Sequence, residues 1–95
     1  METVNAVTRD QIAGRIAKVE YHLLPGTTMT ICVLTMVNGF VVTGESACAD
    51  PLNFNKEIGE SIAYDNAFDK LWALEGYLLK ERMHQSKLPT VDVVR

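Results

Sequence analysis

Residues 27 to 46 read TTMTICVLTMVNGFVVTGES, two runs rich in β-branched and sulfur-bearing side chains on either side of Asn38-Gly39. That composition belongs to strands. Asn-Gly is a strong hairpin signal, because a type I′ turn needs positive φ at both central residues. The pattern predicts an antiparallel hairpin, with Thr27 to Val37 outgoing and Phe40 to Ser46 returning. A two-residue loop would pair Val37 with Phe40, Thr35 with Val42, Val33 with Gly44 and Cys32 with Glu45. Met29, Ile31, Val33 and Val37 then share one face, and Cys32, Leu34 and Met36 the other. Both faces are apolar, which calls for cover on both sides. A glycine opposite a valine suggests a bulge, a ligand or another backbone in close approach.

Upstream, Thr8-Arg9-Asp10-Gln11 matches a capping box, in which the Thr8 hydroxyl and the Gln11 side chain satisfy opposing amides. Ile12, Ile16, Val19 and Leu23 follow at helical spacing, so a first helix is expected from Arg9 to about His22. Pro25-Gly26 ends it. Downstream, Ala47 to Asn55 reads as a connection with a turn at Asp50-Pro51, and Asn53 and Asn55 are both candidate N-caps. Nothing then breaks the chain until about His84, which gives one helix of roughly 30 residues and about 45 Å. Ala63, Ala67, Phe68, Leu71, Trp72, Leu74, Leu78 and Leu79 cover more than half its circumference. The expected fold is therefore α+β in the order helix, β-hairpin, long helix (α-β-β-α). The hairpin and long helix are expected to pack in a homo-oligomer. Residues 1–7 read as a frayed terminus and 86–95 as a tail, in which Val91, Val93 and Val94 leave an edge strand or disorder open.

The chain has 95 residues, enough for a single domain but for only a small core. Cys32 and Cys48 are too few for a disulfide framework or a zinc-ligand set. Met1 to Asp10 has no apolar run, so no secretory signal is expected and both thiols read as reduced. Oligomerisation is then the expected route to stability. The net charge of −3 has the wrong sign for general nucleic-acid affinity. No apolar stretch approaches the roughly 20 residues that span a bilayer.

Several short segments stand out together: Pro25-Gly26-Thr27-Thr28, Asn38-Gly39-Phe40, and the run Val42-Thr43-Gly44-Glu45-Ser46-Ala47-Cys48. Asp50-Pro51, Asn53-Phe54, Glu57-Ile58-Gly59 and Leu74-Glu75-Gly76-Tyr77 join them. Over about Thr8 to Arg82 they resemble a family of small phage proteins named after gene product 49 of one tailed phage and gene 66 of another. The resemblance implies a phage or prophage accessory protein made in the bacterial cytoplasm. It implies no activity and no site residues.

Gly44-Glu45-Ser46-Ala47-Cys48 lacks the last glycine of a nucleophile elbow, and only His22 and His84 could serve as a base. The histidines offer no metal-ligand spacing. No catalytic residue, metal or cofactor is expected, and an enzyme is not the expected reading. Glu45 in the hairpin and Glu75 within the apolar arc are half-buried carboxylates that need partners. The simpler reading of Glu75 is an intermolecular ion pair with Arg82 or Lys80, or a snorkelling edge residue. The sharper one is a polar pocket between subunits built from Glu45, Ser46, Asn53 and Glu75, with Phe54 or Trp72 as a stacking face. Two functions compete on this basis. One is an oligomeric binding protein that counters host defence by sequestering a nucleotide-type signal. The other is an adaptor that binds and inhibits a host enzyme. A nucleic-acid-binding regulator ranks behind both.

Overall fold

The computed structural model describes residues 6–87. They form α1 (Arg9–Gly14), β1 (Ile16–Leu23), β2 (Met29–Met36), β3 (Val41–Ala47), a 3-10 turn (Pro51–Asn53) and α2 (Lys56–Ser86). The three strands make one antiparallel sheet in the order β1-β2-β3. The class is α+β as expected, but the order is α-β-β-β-α. The expected tail strand at Val91, Val93 and Val94 lies outside the described residues.

The extra strand corrects the expected first helix. Helix α1 does start at the capping box: the Gln11 amide donates to Thr8 Oγ1 and the Thr8 amide to Gln11 Oε1, each at 3.1 Å. It stops at Gly14, and the chain turns extended, with Arg15 O accepting the Val37 amide at 2.8 Å. Val19, Tyr21 and Leu23 alternate with Lys18, Glu20 and His22, so the segment satisfies a period of two as well as a helical one. Pairing with β2 decides between the two periods. The connection supports it, because Pro25-Gly26 forms a tight turn rather than a helix stop. The Thr27 amide donates to Leu24 O, the Leu24 amide to Met29 O at 2.9 Å, and Gly26 holds φ at +77°. Pro then Gly with positive φ is the signature of a type II turn.

The β2–β3 hairpin forms one residue out of the expected register. The Gly39 amide donates to Met36 O and the Met36 amide to Phe40 O, each at 2.8 Å, so the loop is Val37-Asn38-Gly39 with Gly39 at φ +90°. This is the three-residue loop with a left-handed closing glycine rather than the two-residue turn. Leu34 consequently faces Val42, Val33 faces Thr43, Cys32 faces Gly44 and Ile31 faces Glu45. A one-residue slip exchanges the faces of a strand. The observed register sets Val42, Gly44 and Ser46 on the side of Cys32 and Leu34, and turns Glu45 away from it.

Gly44 is where the second layer attaches. A Cβ there would overlap the Ala67 nitrogen and the Ala63 carbonyl oxygen, so the backbone of α2 rests on this glycine. The close approach expected at Gly44 is thus made within the chain. Ile12, Leu34, Ala63, Phe68 and Leu71 are among the residues that close the core between sheet and helix. Arg9 stacks its guanidinium 4.3 Å from the centre of the Phe68 ring and ties α1 to α2. The helix has 31 residues, about 46 Å, against about 27 Å for an eight-residue strand. Its last buried residue is Leu71, and the remainder overhangs the sheet. On the other side of the sheet Met29, Ile31, Val33 and Thr35 are half-buried, and no described element lies over them.

Candidate functional site

The first turn of α2 meets the end of β3 at a corner. Asn55 caps the helix by accepting the Ile58 amide at 3.0 Å, and Asp50 holds the preceding 3-10 turn by accepting the Leu52 amide. Gly59, free of a side chain, lets Ser46 reach the helix, and the Ser46 hydroxyl donates to Gly59 O at 2.6 Å. Across the sheet, Thr28 Oγ1 donates to Cys48 O and accepts the Cys48 amide, clasping the start of β2 to the end of β3. These contacts leave a pocket of about 240 Å³ whose walls include Thr28, Ser46, Cys48, Asn53, Phe54 and Ile62. Three of the six expected site residues, Ser46, Asn53 and Phe54, therefore come together.

The other three do not join them. Glu45 lies across from Ile31 on the open face of the sheet, and its carbonyl accepts Asn66 Nδ2 at 2.7 Å. Trp72 packs edge-on to Phe68 with ring centres 6.2 Å apart. Glu75 is a turn further on, in an ion pair with Arg15 at 2.9 Å. The expected intermolecular partner, Arg82 or Lys80, is replaced by a residue of the same chain that only the unexpected strand-helix junction brings near. Thr28 and Cys48 were missed as wall residues. Their signal was in the sequence, since both sit in segments that carry the phage-family likeness.

A second concavity lies at the opposite end of the sheet. The hairpin tip, Val37 and Phe40, faces Leu74 and Leu78 of the overhanging helix across a cleft of about 180 Å³, with the Arg15–Glu75 pair at its edge. Leu74 and Leu78 continue the face of Ala67 and Leu71 at helical spacing, but no strand lies beneath them. Val37 is 63% and Phe40 53% exposed, so this end presents apolar side chains to solvent.

Burial, followed by the charge of Glu60, pushes the Cys32 thiol above its ordinary value. Burial also raises Tyr21, with Cys32 and Glu60 adding to it. Among the described residues no group of three His, Cys, Asp or Glu side chains could hold a metal ion, and no helix is long and apolar enough to cross a membrane.

Residues 7–83 match the family described as Phage protein (N4 Gp49/phage Sf6 gene 66) family. The chain belongs to this family. Comparison with curated proteins and with solved structures gave no match. The family match runs across both concavities, from α1 through the corner pocket to the overhang of α2.

Proposed function

We propose that this small phage protein works in the host cytoplasm by binding rather than by catalysis, docking on a host protein so as to block it in the service of countering host defence. The docking end is the apolar cleft between the hairpin tip and the overhang of α2. The observation that carries this reading is the exposure of Val37, Phe40 and Leu74 around that cleft, where a folded chain of this size has no internal use for them. A helix face together with a hairpin tip offers aromatic and aliphatic anchors of the kind that dominate binding energy. The test is co-purification of the tagged protein from its bacterial host. One stoichiometric host protein retained by the native chain and lost with Phe40→Ser or Leu74→Glu is the expected result. Equal retention by these variants counts against the cleft.

The corner pocket supports a second reading, sequestration of a small nucleotide-type ligand, because Ser46, Asn53 and Phe54 share its walls. It ranks second on size and on hydrogen bonding. About 240 Å³ falls below the roughly 300–1,000 Å³ of small-molecule sites. The Ser46 and Thr28 hydroxyl protons are also already engaged. Native mass spectra with a panel of cyclic and ADP-ribose-type nucleotides discriminate the readings. A ligand retained by the native chain and lost with Asn53→Ala would move the function to the corner.

A further inference from the structure

Strand β1 is an edge of the sheet, paired among the described residues with β2 alone. In an antiparallel ladder the hydrogen bonds alternate, so every second residue of an edge strand turns its N–H and C=O outward. The bond from the Leu24 amide to Met29 O fixes the phase. His22, Glu20 and Lys18 bond β2, and Val19, Tyr21 and Leu23 direct their backbone groups away from the sheet. The same three residues carry their side chains on the helix side, opposite Leu34, Cys32 and Thr30. Helix α2 lies over β2 and β3 and leaves them 42%, 38% and 52% exposed. The other edge differs. On β3 the outward carbonyl of Glu45 is taken by Asn66, and α2 sits above the strand. Unpaired backbone and uncovered apolar side chains coincide on β1, the combination that templates strand addition.

We propose that β1 pairs antiparallel with β1 of a second copy of this chain, with Tyr21 on the two-fold axis, joining two sheets into one continuous sheet. Independently of the host-docking reading, two features select the occupant and the register. The first is the backbone. With Tyr21 opposite its own copy, Val19 faces the partner's Leu23, and the outward amides and carbonyls of all three residues are satisfied. The second is charge. Glu20 then faces the partner's His22, a carboxylate opposite an N–H donor, while Val19, Tyr21 and Leu23 meet their counterparts on the helix side. Sliding the register one step toward the N-terminus sets Glu20 against the partner's Glu20 and pushes Leu23 onto the irregularity between Ile16 and Lys18. Sliding it the other way sets Val19 against the partner's Pro25, which has no amide to give. Both helices lie on the same side of the joined sheet, and the two-fold places the two docking clefts at its opposite ends.

The experiment is the solution mass of the full chain by sedimentation or native mass spectrometry, together with site-specific crosslinking. Residues opposite each other in a hydrogen-bonded pair have Cα atoms about 5.5 Å apart, within reach of a disulfide. A dimer is expected, and Tyr21→Cys on a Cys48→Ser background should crosslink it under mild oxidation, whereas Thr43→Cys on β3 should not. The exposed pair Val19→Lys and Leu23→Lys should stay folded by circular dichroism and weaken self-association by at least about 100-fold, through like charges brought face to face. Leu74→Glu, the host-docking variant, should leave the mass unchanged. A monomeric native chain overturns the proposal. So does a dimer that survives both lysines, or one that crosslinks through Thr43→Cys, which would put the contact on β3.

Discussion

The two halves of α2 carry similar apolar content and meet different surroundings. From Lys56 to Leu71 the helix lies on the sheet, and its contact residues are small: Ala63 and Ala67 rest on Gly44, with Phe68 and Leu71 filling the flanks. From Trp72 onward the apolar residues other than Ala73 are large, and none is buried. The pairing of glycine with alanine lets two backbones touch, and it marks the half whose partner is in the chain. Leucines and aromatics without small counterparts mark the half whose partner is elsewhere.

The contrast is breakable, most severely at Gly44. Gly44→Val is expected to abolish the cooperative thermal transition. Overpacking typically costs about 1–3 kcal/mol, and here the added atoms strike helix backbone that cannot turn aside. Phe68→Ala should cost about 3–5 kcal/mol in urea denaturation, the range for removing a buried aromatic. A smaller effect comes from pH. Burial raises Cys32 above its ordinary 9.0, so the folded chain holds the thiol proton more tightly than the unfolded one. Stability should be full below that value and fall as pH rises through it, with Tyr21 adding in the same direction above 10.0. A Cys32→Ala variant, though less stable overall, should show a shallower fall when denaturation is followed from about pH 8 to pH 10. The smallest effect belongs to the overhang. Leu74→Glu should change stability by no more than about 0.5 kcal/mol while removing host-protein capture. A loss comparable to that of Phe68→Ala would show the two halves to be one packed unit.

What was legible in the sequence was local. The capping box at Thr8, the cap at Asn55, the hairpin around Asn38-Gly39 and the length of α2 each follow from a few adjacent residues. The segment Ile16–Leu23 was not legible, because Ile12, Ile16, Val19 and Leu23 fit a helix while Val19, Tyr21 and Leu23 fit a strand. Only the availability of β2 as a neighbour decides. The hairpin slip has a similar origin: Asn-Gly serves both two- and three-residue loops, and the burial of Leu34 against Val42 selects one. Of the candidate site, Ser46, Asn53 and Phe54 converge because a short turn separates them. Glu45 could not join Ser46, since neighbours on a strand point to opposite faces. Trp72 and Glu75 lie too far along a rigid helix to reach the corner.

The sheet is a meander closed by the turn at Leu24–Thr27 and the loop at Val37–Gly39, so its strand pairs are neighbours in the chain. Closing short loops costs little chain entropy, and hairpins of this kind form in about 1–10 μs. Low contact order of this sort goes with fast folding. The one long-range step is the return of α2 onto the hairpin, where Ala63 and Ala67 seat on Gly44. The rate of folding is therefore expected to hinge on that seat, with the sheet forming ahead of it and the overhang following once the barrier is crossed.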